Sequence, residues 1–221
     1  VLNSPSNPSG MSYSKAELEA LGEVLRNYPD TLIATDDMYE HILWTKEPFN
    51  NILTANPDLY DRTIVLNGVS KAYSMTGWRI GYAAGPQALI GAMKKIQSQS
   101  TSNPTSIAQV AAQAALEGGK ECVKNMVKVF KARHDYMVKA LNEIAGIDCL
   151  PGDGTFYLFP NFSDIQAKLA CKTDTDLAEK LLEAGVALVP GSAFGTPGHM
   201  RISFATSDDK LQKSIERLKG I

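Results

Sequence analysis

A lysine and an arginine stand eight residues apart in the segment NGVSKAYSMTGWRIGY, residues 67–82. The residues before this segment, 62–66 (RTIVL), are mostly β-branched and aliphatic, which predicts a short buried strand. Lys71 would therefore follow the carboxyl end of a strand. A lysine amine in that position can act as a nucleophile or a base, and the planar guanidinium of Arg79 fits the oxygens of a phosphate.

Polar side chains also follow two other predicted strands. The opening residues VLNSP predict the end of a buried strand, and Asn7 lies in the proline-rich turn NSPSNPSG that follows it. Asp36 and Tyr39 follow a predicted strand at residues 31–34 (TLIA). Ser70 immediately precedes the lysine. Each of these residue types alone is most often a turn former, a cap or a solvated surface group. Their convergence carries the prediction of a site, because open α/β sheets bind ligands at the carboxyl ends of their strands.

This set of side chains suits the chemistry of pyridoxal phosphate, an aldehyde cofactor with a phenolic oxygen, a ring nitrogen and a phosphate. A lysine amine condenses with the aldehyde as a Schiff base, and a carboxylate keeps the ring nitrogen protonated. A guanidinium binds the phosphate through a fork of N–H donors. The residues therefore predict a pyridoxal-phosphate site.

The composition indicates a globular protein whose partner is a small molecule. The chain has 221 residues, 44% of them hydrophobic, which is enough for one large domain or two smaller ones. Its 22 lysines and arginines nearly balance 24 aspartates and glutamates, and no block of like charge occurs. We therefore expect no nucleic-acid partner and no membrane-binding basic face.

The cysteines and the apolar segments favour a cytoplasmic protein. Cys122, Cys149 and Cys171 lie far apart with no histidine at ligand spacing, so we expect reduced thiols and no metal site. No apolar run approaches the roughly 20 residues that span a bilayer, and we find no targeting signal.

The remaining patterns predict the elements that position these residues. Ser14 and Glu17 have the spacing of a capping box at a helix start. Strands that alternate with helical stretches predict a mostly parallel sheet, to which residues 79–84 add a fourth strand. Two long helices, 106–117 and 120–144, follow. Shorter elements then predict a small α/β domain, with strands at 155–159, 186–189 and 199–205 and helices at 174–184 and 208–219.

Four segments together resemble a known family. GVSKAYSMTGWRIG resembles the lysine-attachment motif of the class I pyridoxal-phosphate aminotransferases, and NSPSNPSG is similar to their Asn-Pro-(Thr/Ser)-Gly loop. TDDMYEH resembles the family's Asp-x-x-Tyr segment, and GHMRISFA the segment with its carboxylate-binding arginine. The segments occur in the family's order, so the resemblance covers essentially the whole chain.

The resemblance assigns roles around the cofactor ring. It implies that Lys71 bonds to the aldehyde and that Asp36 pairs with the ring nitrogen. Tyr39 and Asn7 would hydrogen-bond the phenolic oxygen. Asp37 is a rival for the ring nitrogen, but the three-residue step to the tyrosine favours Asp36.

The resemblance also assigns the anion-binding residues. Arg79 would bind the phosphate, with Ser70 as a further phosphate candidate. Arg201 would bind the α-carboxylate of the substrate. Without the family context, Arg201 reads equally well as a residue on a surface strand.

The resemblance further implies the fold and the activity. It implies the α/β fold of the fold-type I transferases, with the carboxyl-terminal part of the cofactor-binding large domain at residues 1–117. The long connecting helix and a small α/β domain would occupy residues 118–221. A homodimeric aminotransferase is implied, acting on aspartate and 2-oxoglutarate and also on aromatic or prephenate-type substrates. Since only the carboxyl-terminal portion of such an enzyme is matched, we do not expect activity from this chain alone.

Two alternatives share the same residues. A carbon–sulfur lyase of the same fold type would eliminate a β leaving group instead of transferring an amino group. The effector-binding domain of an aminotransferase-like transcription regulator would bind the cofactor without turnover. The reaction products separate the first alternative, and a winged-helix segment upstream would indicate the second.

Overall fold

The computed structural model describes all 221 residues and divides the chain into two compact units. The first unit comprises residues 1–5 and 12–126. The second unit comprises residues 6–11 and 127–221. The division of the sequence at residues 117 and 118 stays a prediction about the domains of the whole protein.

The first unit contains a four-stranded mixed sheet. Its strands are β1 (Leu2–Asn3), β2 (Ile33–Asp36), β3 (Thr63–Gly68) and β4 (Gly81–Ala84), and they lie in that order across the sheet. β1, β2 and β3 are parallel, whereas β4 runs antiparallel to β3. The predicted α/β class with a mostly parallel sheet is confirmed.

The first unit contains four helices and the start of a fifth, and side chains satisfy free backbone groups at both ends of the first. They are α1 (Lys15–Arg26), α2 (Ile52–Ala55), α3 (Gln87–Ser100), α4 (Ser106–Glu117) and the start of α5 (Glu121–Asn142). The predicted capping box is present, because Ser14 Oγ accepts from the backbone N of Glu17 and the Glu17 carboxylate accepts from the backbone N of Ser14. After α1, the Arg62 guanidinium donates to the carbonyls of Leu25, Tyr28 and Thr31.

Two apolar clusters hold the first unit together. In the first, Leu18, Ile33, Ile52 and Leu59 are buried between α1, α2 and the sheet. In the second, the buried residues are Val69, Ile80, Ala108 and Ala112, with Tyr73 and Met75 packed against them. The second cluster matters for the site, because Val69 and Ile80 come from the two ends of the lysine-containing segment.

The second unit contains a small antiparallel sheet covered by helices. The strands β5 (Tyr157–Leu158), β6 (Val189–Pro190) and β7 (Met200–Ser203) lie in the order β5, β7, β6. The helices are the greater part of α5, α6 (Ser163–Lys168), α7 (Asp174–Glu183) and α8 (Asp208–Lys219). Phe162, Leu158, Met200 and Phe204 are fully buried in this unit.

Several element boundaries differ from the predicted ones. β2 begins at Ile33 rather than residue 31, because Thr31 and Leu32 are exposed. α5 ends at Asn142, whose side-chain amide exchanges two hydrogen bonds with the backbone of Cys149 and so closes a turn. α3 was not predicted, because its sequence has only a weak apolar stripe. In agreement with this pattern, none of its residues is buried. None of the helices is both long and apolar enough to cross a membrane.

The first apolar cluster gives a test of the first unit's stability. Leu18 is 1% exposed, so Leu18→Ala should lower the free energy of unfolding by about 2–5 kcal/mol through lost contacts and a cavity. Both tryptophans lie in the first unit, so urea unfolding followed by tryptophan fluorescence measures the change. Val24→Ala on the same helix is the control, because Val24 is 55% exposed. Equal effects of the two substitutions would contradict this packing.

The cysteines differ in their expected reactivity. Burial raises the pKa of the Cys149 thiol to about 12, whereas Cys122 is exposed. Because the thiolate is the reactive form, iodoacetamide near neutral pH should modify Cys122 rapidly and Cys149 only after unfolding. Peptide mass spectrometry of the native and the urea-treated protein distinguishes the two sites. Rapid labelling of Cys149 in the native protein would show that the thiol is not enclosed.

Candidate active site

Asp36 and Lys71 leave the sheet of the first unit at the same edge. Asp36 is the last residue of β2 and stands opposite Leu66 of the parallel strand β3. β3 ends at Gly68, and Lys71 follows three residues later. Parallel neighbours end at the same edge of a sheet, so this edge carries both the carboxylate and the amine.

The two adjacent aspartates occupy different environments. Asp37 is 2% exposed, and its carboxylate accepts hydrogen bonds from Thr35 Oγ1 at 2.6 Å and from Asn51 Nδ2 at 2.5 Å. Burial raises the pKa of Asp37, although these two hydrogen bonds act in the opposite direction. Asp36 is only half-buried, and its Oδ1 accepts from the backbone N of Met38 at 3.2 Å. The Asp37 carboxylate is therefore engaged inside the unit, and Asp36 is the acid that faces outward.

A cavity of about 580 Å³ opens beside Asp36. Asn67 and Tyr82, from β3 and β4, line it together with Asp36. The Asn67 side chain is itself fixed, because its Nδ2 donates to Glu40 Oε1 at 2.7 Å and its Oδ1 accepts from the backbone N of Gly68 at 2.7 Å. Lys71 does not line this cavity.

The lysine lies in a turn that buried neighbours hold in place. Val69 and Ala72 are buried, whereas Ser70 and Lys71 between them are half-buried. The backbone N of Ser74 donates to the carbonyl of Lys71 at 3.2 Å, which closes the turn. Apolar anchors on both sides therefore fix the backbone from which the lysine side chain projects.

Arg79 and Tyr39 complete the set in the first unit. Arg79 lies two residues before the start of β4, where Gly81 stands opposite Gly68, so it lies at the edge where β3 ends. Its backbone is left-handed, with φ of 55°, which is uncommon outside glycine, and its side chain is exposed. Tyr39 is buried in the turn after β2. The structure thus places Asp36, Lys71 and Arg79 around one sheet edge.

The second unit holds the other two predicted residues in direct contact. Arg201 Nη1 donates to Asn7 Oδ1 at 2.9 Å. The Arg201 guanidinium carbon lies 4.5 Å from the centroid of the Tyr157 ring and 5.1 Å from that of Phe194. Aromatic faces and an amide oxygen orient a guanidinium without neutralising its charge, so this group is suited to a carboxylate.

Sequence reasoning missed the aromatic partners of Arg201. Tyr157 belongs to the segment TFYLFP, which predicted a strand and nothing more. It stands opposite Ser203 in the antiparallel pair of β5 and β7, two residues from Arg201. Only the strand register reveals that contact. Phe194 ends a short 3₁₀ helix, Gly191–Phe194, whose sequence carries no comparable signal.

The whole chain is similar in sequence to known proteins. Residues 1–218 match the model of a family described as aminotransferase class I and II. The aspartate/prephenate aminotransferase of Nitrosomonas europaea is 57% identical over 228 residues, which cover 100% of this chain and 57% of that protein. The aspartate aminotransferase of Rhizobium meliloti strain 1021 is 48% identical and is matched over 99% of this chain and 55% of its own length.

Solved structures agree with these similarities. The crystal structure of the aspartate aminotransferase from Rhizobium meliloti superposes with a TM-score of 0.93 at 47% identity, covering 99% of this chain and 56% of that chain. The aspartate aminotransferase from Thermotoga maritima gives a TM-score of 0.87 at 38% identity. The chain spans about half the length of the curated relatives that it matches.

The two aspartates should respond differently to removal. Asp37→Ala leaves the buried donors of Thr35 and Asn51 without an acceptor, so it should lower the free energy of unfolding by about 2–5 kcal/mol. Asp36→Ala loses one hydrogen bond from Met38, which is worth about 1 kcal/mol or less. Urea unfolding followed by tryptophan fluorescence compares the two variants. A larger loss of stability for Asp36→Ala would reverse the assignment of the outward-facing acid.

Proposed function

This chain belongs to the aminotransferase class I and II family, and we propose that the whole protein transfers the amino group of aspartate to 2-oxoglutarate with pyridoxal phosphate as its cofactor. The observation that carries the proposal is the placement of Asp36, Lys71 and Arg79 around one sheet edge. The printed names of the relatives support aspartate as a substrate, and one of them adds prephenate. We include aromatic or prephenate-type substrates on that basis.

The donors and acceptors at this edge fit the groups of pyridoxal phosphate. We assign the amine of Lys71 to the aldehyde, the carboxylate of Asp36 to the ring nitrogen and the guanidinium of Arg79 to the phosphate. Tyr39 and Asn7 are assigned to the phenolic oxygen. The fit of the acid is supported by the contrast with its neighbour, because Asp36 faces a cavity rather than buried partners. When bound, the cofactor supplies a ring that withdraws electrons from the substrate's α carbon.

Ser70 is the second proposed phosphate ligand. It is half-buried in the same turn as the lysine, directly after the buried Val69. A hydroxyl in this turn can donate to a phosphate oxygen. We therefore assign it a supporting role beside Arg79.

Lys71 and Arg201 would handle the substrate. We assign Arg201 to the α-carboxylate, since a planar guanidinium binds a carboxylate through two parallel N–H donors. Such a grip fixes the orientation of the α C–H bond and so selects the bond that breaks. We assign to the Lys71 amine the removal of the α proton and its later return. The anchored turn of Lys71 supports this role, because it fixes the backbone and leaves only the side chain to move.

We propose that the whole protein is a cytoplasmic homodimer. Ile96, Ile107 and Val110 on α3 and α4 are largely exposed, and apolar side chains in such numbers favour contact with further protein surface. The three cysteines are free, which is usual for a reducing compartment. We assign residues 1–117 to the cofactor-binding large domain and residues 118–221 to the connecting helix and the small domain.

Substitution of Lys71 tests the proposed function. In the full-length protein, Lys71→Ala should lower the rate of keto-acid formation from aspartate by at least about 100-fold, because the base is lost. The absorbance of bound cofactor between the ultraviolet and the blue should change as well. Lys124→Ala is the matched control, since Lys124 is 69% exposed on α5. Assay of keto acid, together with the absorbance before and after addition of aspartate, measures both effects.

Other outcomes of the same assay would identify a different activity. Release of pyruvate and ammonia from cystathionine, without keto-acid formation from aspartate, would indicate a carbon–sulfur lyase. Cofactor absorbance without turnover of either substrate would indicate an effector-binding protein. A Lys71→Ala protein as active as the wild type would refute the role of the lysine.

A further inference from the structure

A buried histidine in the second unit has a defined protonation state. His134 on α5 is 3% exposed, and its Nε2 accepts a hydrogen bond from the backbone N of Gly152 at 2.9 Å. A backbone N–H can only donate, so Nε2 carries no proton. The neutral ring therefore has its proton on Nδ1, which donates to Asp135 Oδ1 at 2.9 Å. Asp135 is held in turn by Lys131, whose Nζ lies 2.5 Å from Oδ2.

Gly152 belongs to a loop that binds residues 6–11, the short amino-terminal segment of the second unit. We call residues 151–155 the Gly152 loop. The backbone N atoms of Asp153 and Gly154 both donate to the carbonyl of Gly10, at 2.8 and 3.0 Å. Gly10 has φ of +73°, and a Cβ there would stand 3.0 Å from the carbonyl oxygen of Gly154. Only a glycine permits this close approach, so the two backbones are tightly matched.

The segment held in this way carries one partner of Arg201. The backbone N of Gly10 donates to the carbonyl of Ser6 at 2.8 Å, and the N of Ser6 donates to the carbonyl of Met11 at 2.8 Å. These bonds close the turn of residues 6–11, which contains Asn7. Asn7 Oδ1 accepts the hydrogen bond from Arg201. The Gly152 loop therefore positions Asn7 through Gly10.

The other end of the Gly152 loop leads to the second partner of Arg201. Thr155 is fully buried with φ of 66°, and its Oγ1 accepts from the backbone N of Tyr157 at 3.1 Å. The Tyr157 ring lies against the Arg201 guanidinium. One loop thus positions both the amide and the aromatic ring that orient Arg201, and His134 holds this loop at Gly152.

We propose that His134 is a positioning residue for Arg201, acting through the Gly152 loop, and that protonation of His134 releases the loop and weakens carboxylate binding. The inference rests on the proposed role of Arg201 in holding a carboxylate. A protonated ring has donors on both nitrogens, so Nε2 can no longer accept from Gly152. Loss of this hydrogen bond would affect the positions of both Asn7 and Tyr157, because the same loop positions both.

The charges around His134 agree with a neutral ring at neutral pH. Burial lowers the pKa of His134, and Lys131 acts in the same direction, while Asp135 and Asp153 oppose them. The ring of Phe204 packs edge-on at 6.1 Å and carries no charge. The ring therefore gains its proton at a lower pH than an ordinary histidine does, and acidification through that pH should weaken carboxylate binding.

Two substitutions in the full-length protein separate the effect of the acceptor at residue 134 from the effect of its protonation. His134→Gln keeps an oxygen that can accept from Gly152 and removes the titration, whereas His134→Leu removes the acceptor. At about pH 8, His134→Leu should raise the Kd for succinate and the KM for aspartate at least about fivefold, with kcat changed less than about twofold. His134→Gln should stay close to the wild type. On acidification the wild-type Kd should rise more steeply than that of His134→Gln.

Hydrogen exchange provides a readout that does not depend on turnover. Without substrate, the amides of the Gly152 loop should exchange faster in His134→Leu than in the wild type, and at the wild-type rate in His134→Gln. Unchanged exchange and unchanged succinate affinity in His134→Leu would overturn the inference. So would an acid-induced weakening of succinate binding that is as steep in His134→Gln as in the wild type.

The outcomes distinguish this inference from the proposed function. Succinate affinity that depends on His134, in a protein that does not transaminate aspartate, would uphold the positioning role and refute the proposed reaction. Transamination with succinate affinity indifferent to His134 would do the reverse. Should His134→Leu fail to fold, the pH dependence of His134→Gln against the wild type still decides.

Discussion

The hydrogen-bonded register of β3 with its two neighbours is the constraint on which the candidate site depends. The parallel pairing with β2 sets Asp36 opposite Leu66, and the antiparallel pairing with β4 sets Gly81 opposite Gly68. Since β4 starts where β3 ends, one edge of the sheet receives residues from both connections. A shift of one residue in either pairing would turn every side chain of that strand to the opposite face. The backbone pairing of the strands therefore determines which side chains can act together at this edge.

The alternation of the strand explains how two neighbouring acids acquire different tasks. Side chains along an extended backbone point to opposite sides, so Asp36 and Asp37 cannot share a partner. Asp37 turns inward to Thr35 and to Asn51, which also caps α2 through Thr54. A carboxylate that binds two donors inside the unit makes the turn after β2 rigid. That rigidity gives the outward-facing acid a fixed direction.

The sequence specified local structure well and tertiary contacts poorly. The capping box, α4 and α8 were predicted at their observed limits, because caps and apolar stripes act within one helix. The site residues were predicted from motifs, and their chemical roles remain predictions. Their position at one edge of the sheet depends on the order of the strands. The aromatic partners of Arg201 and the acceptor role of His134 could not be predicted. Both depend on contacts between residues far apart in sequence, which no local pattern records.

The second unit is discontinuous, since residues 6–11 belong to it while residues 12–126 belong to the first. Truncation within α5 cannot therefore separate the two units cleanly. A polypeptide of residues 127–221 would lose the carbonyl of Gly10 that accepts from Asp153 and Gly154, together with the amide that contacts Arg201. A separate second unit must therefore keep these contacts, either by fusion of residues 6–11 to residues 127–221 or by circular permutation of the chain.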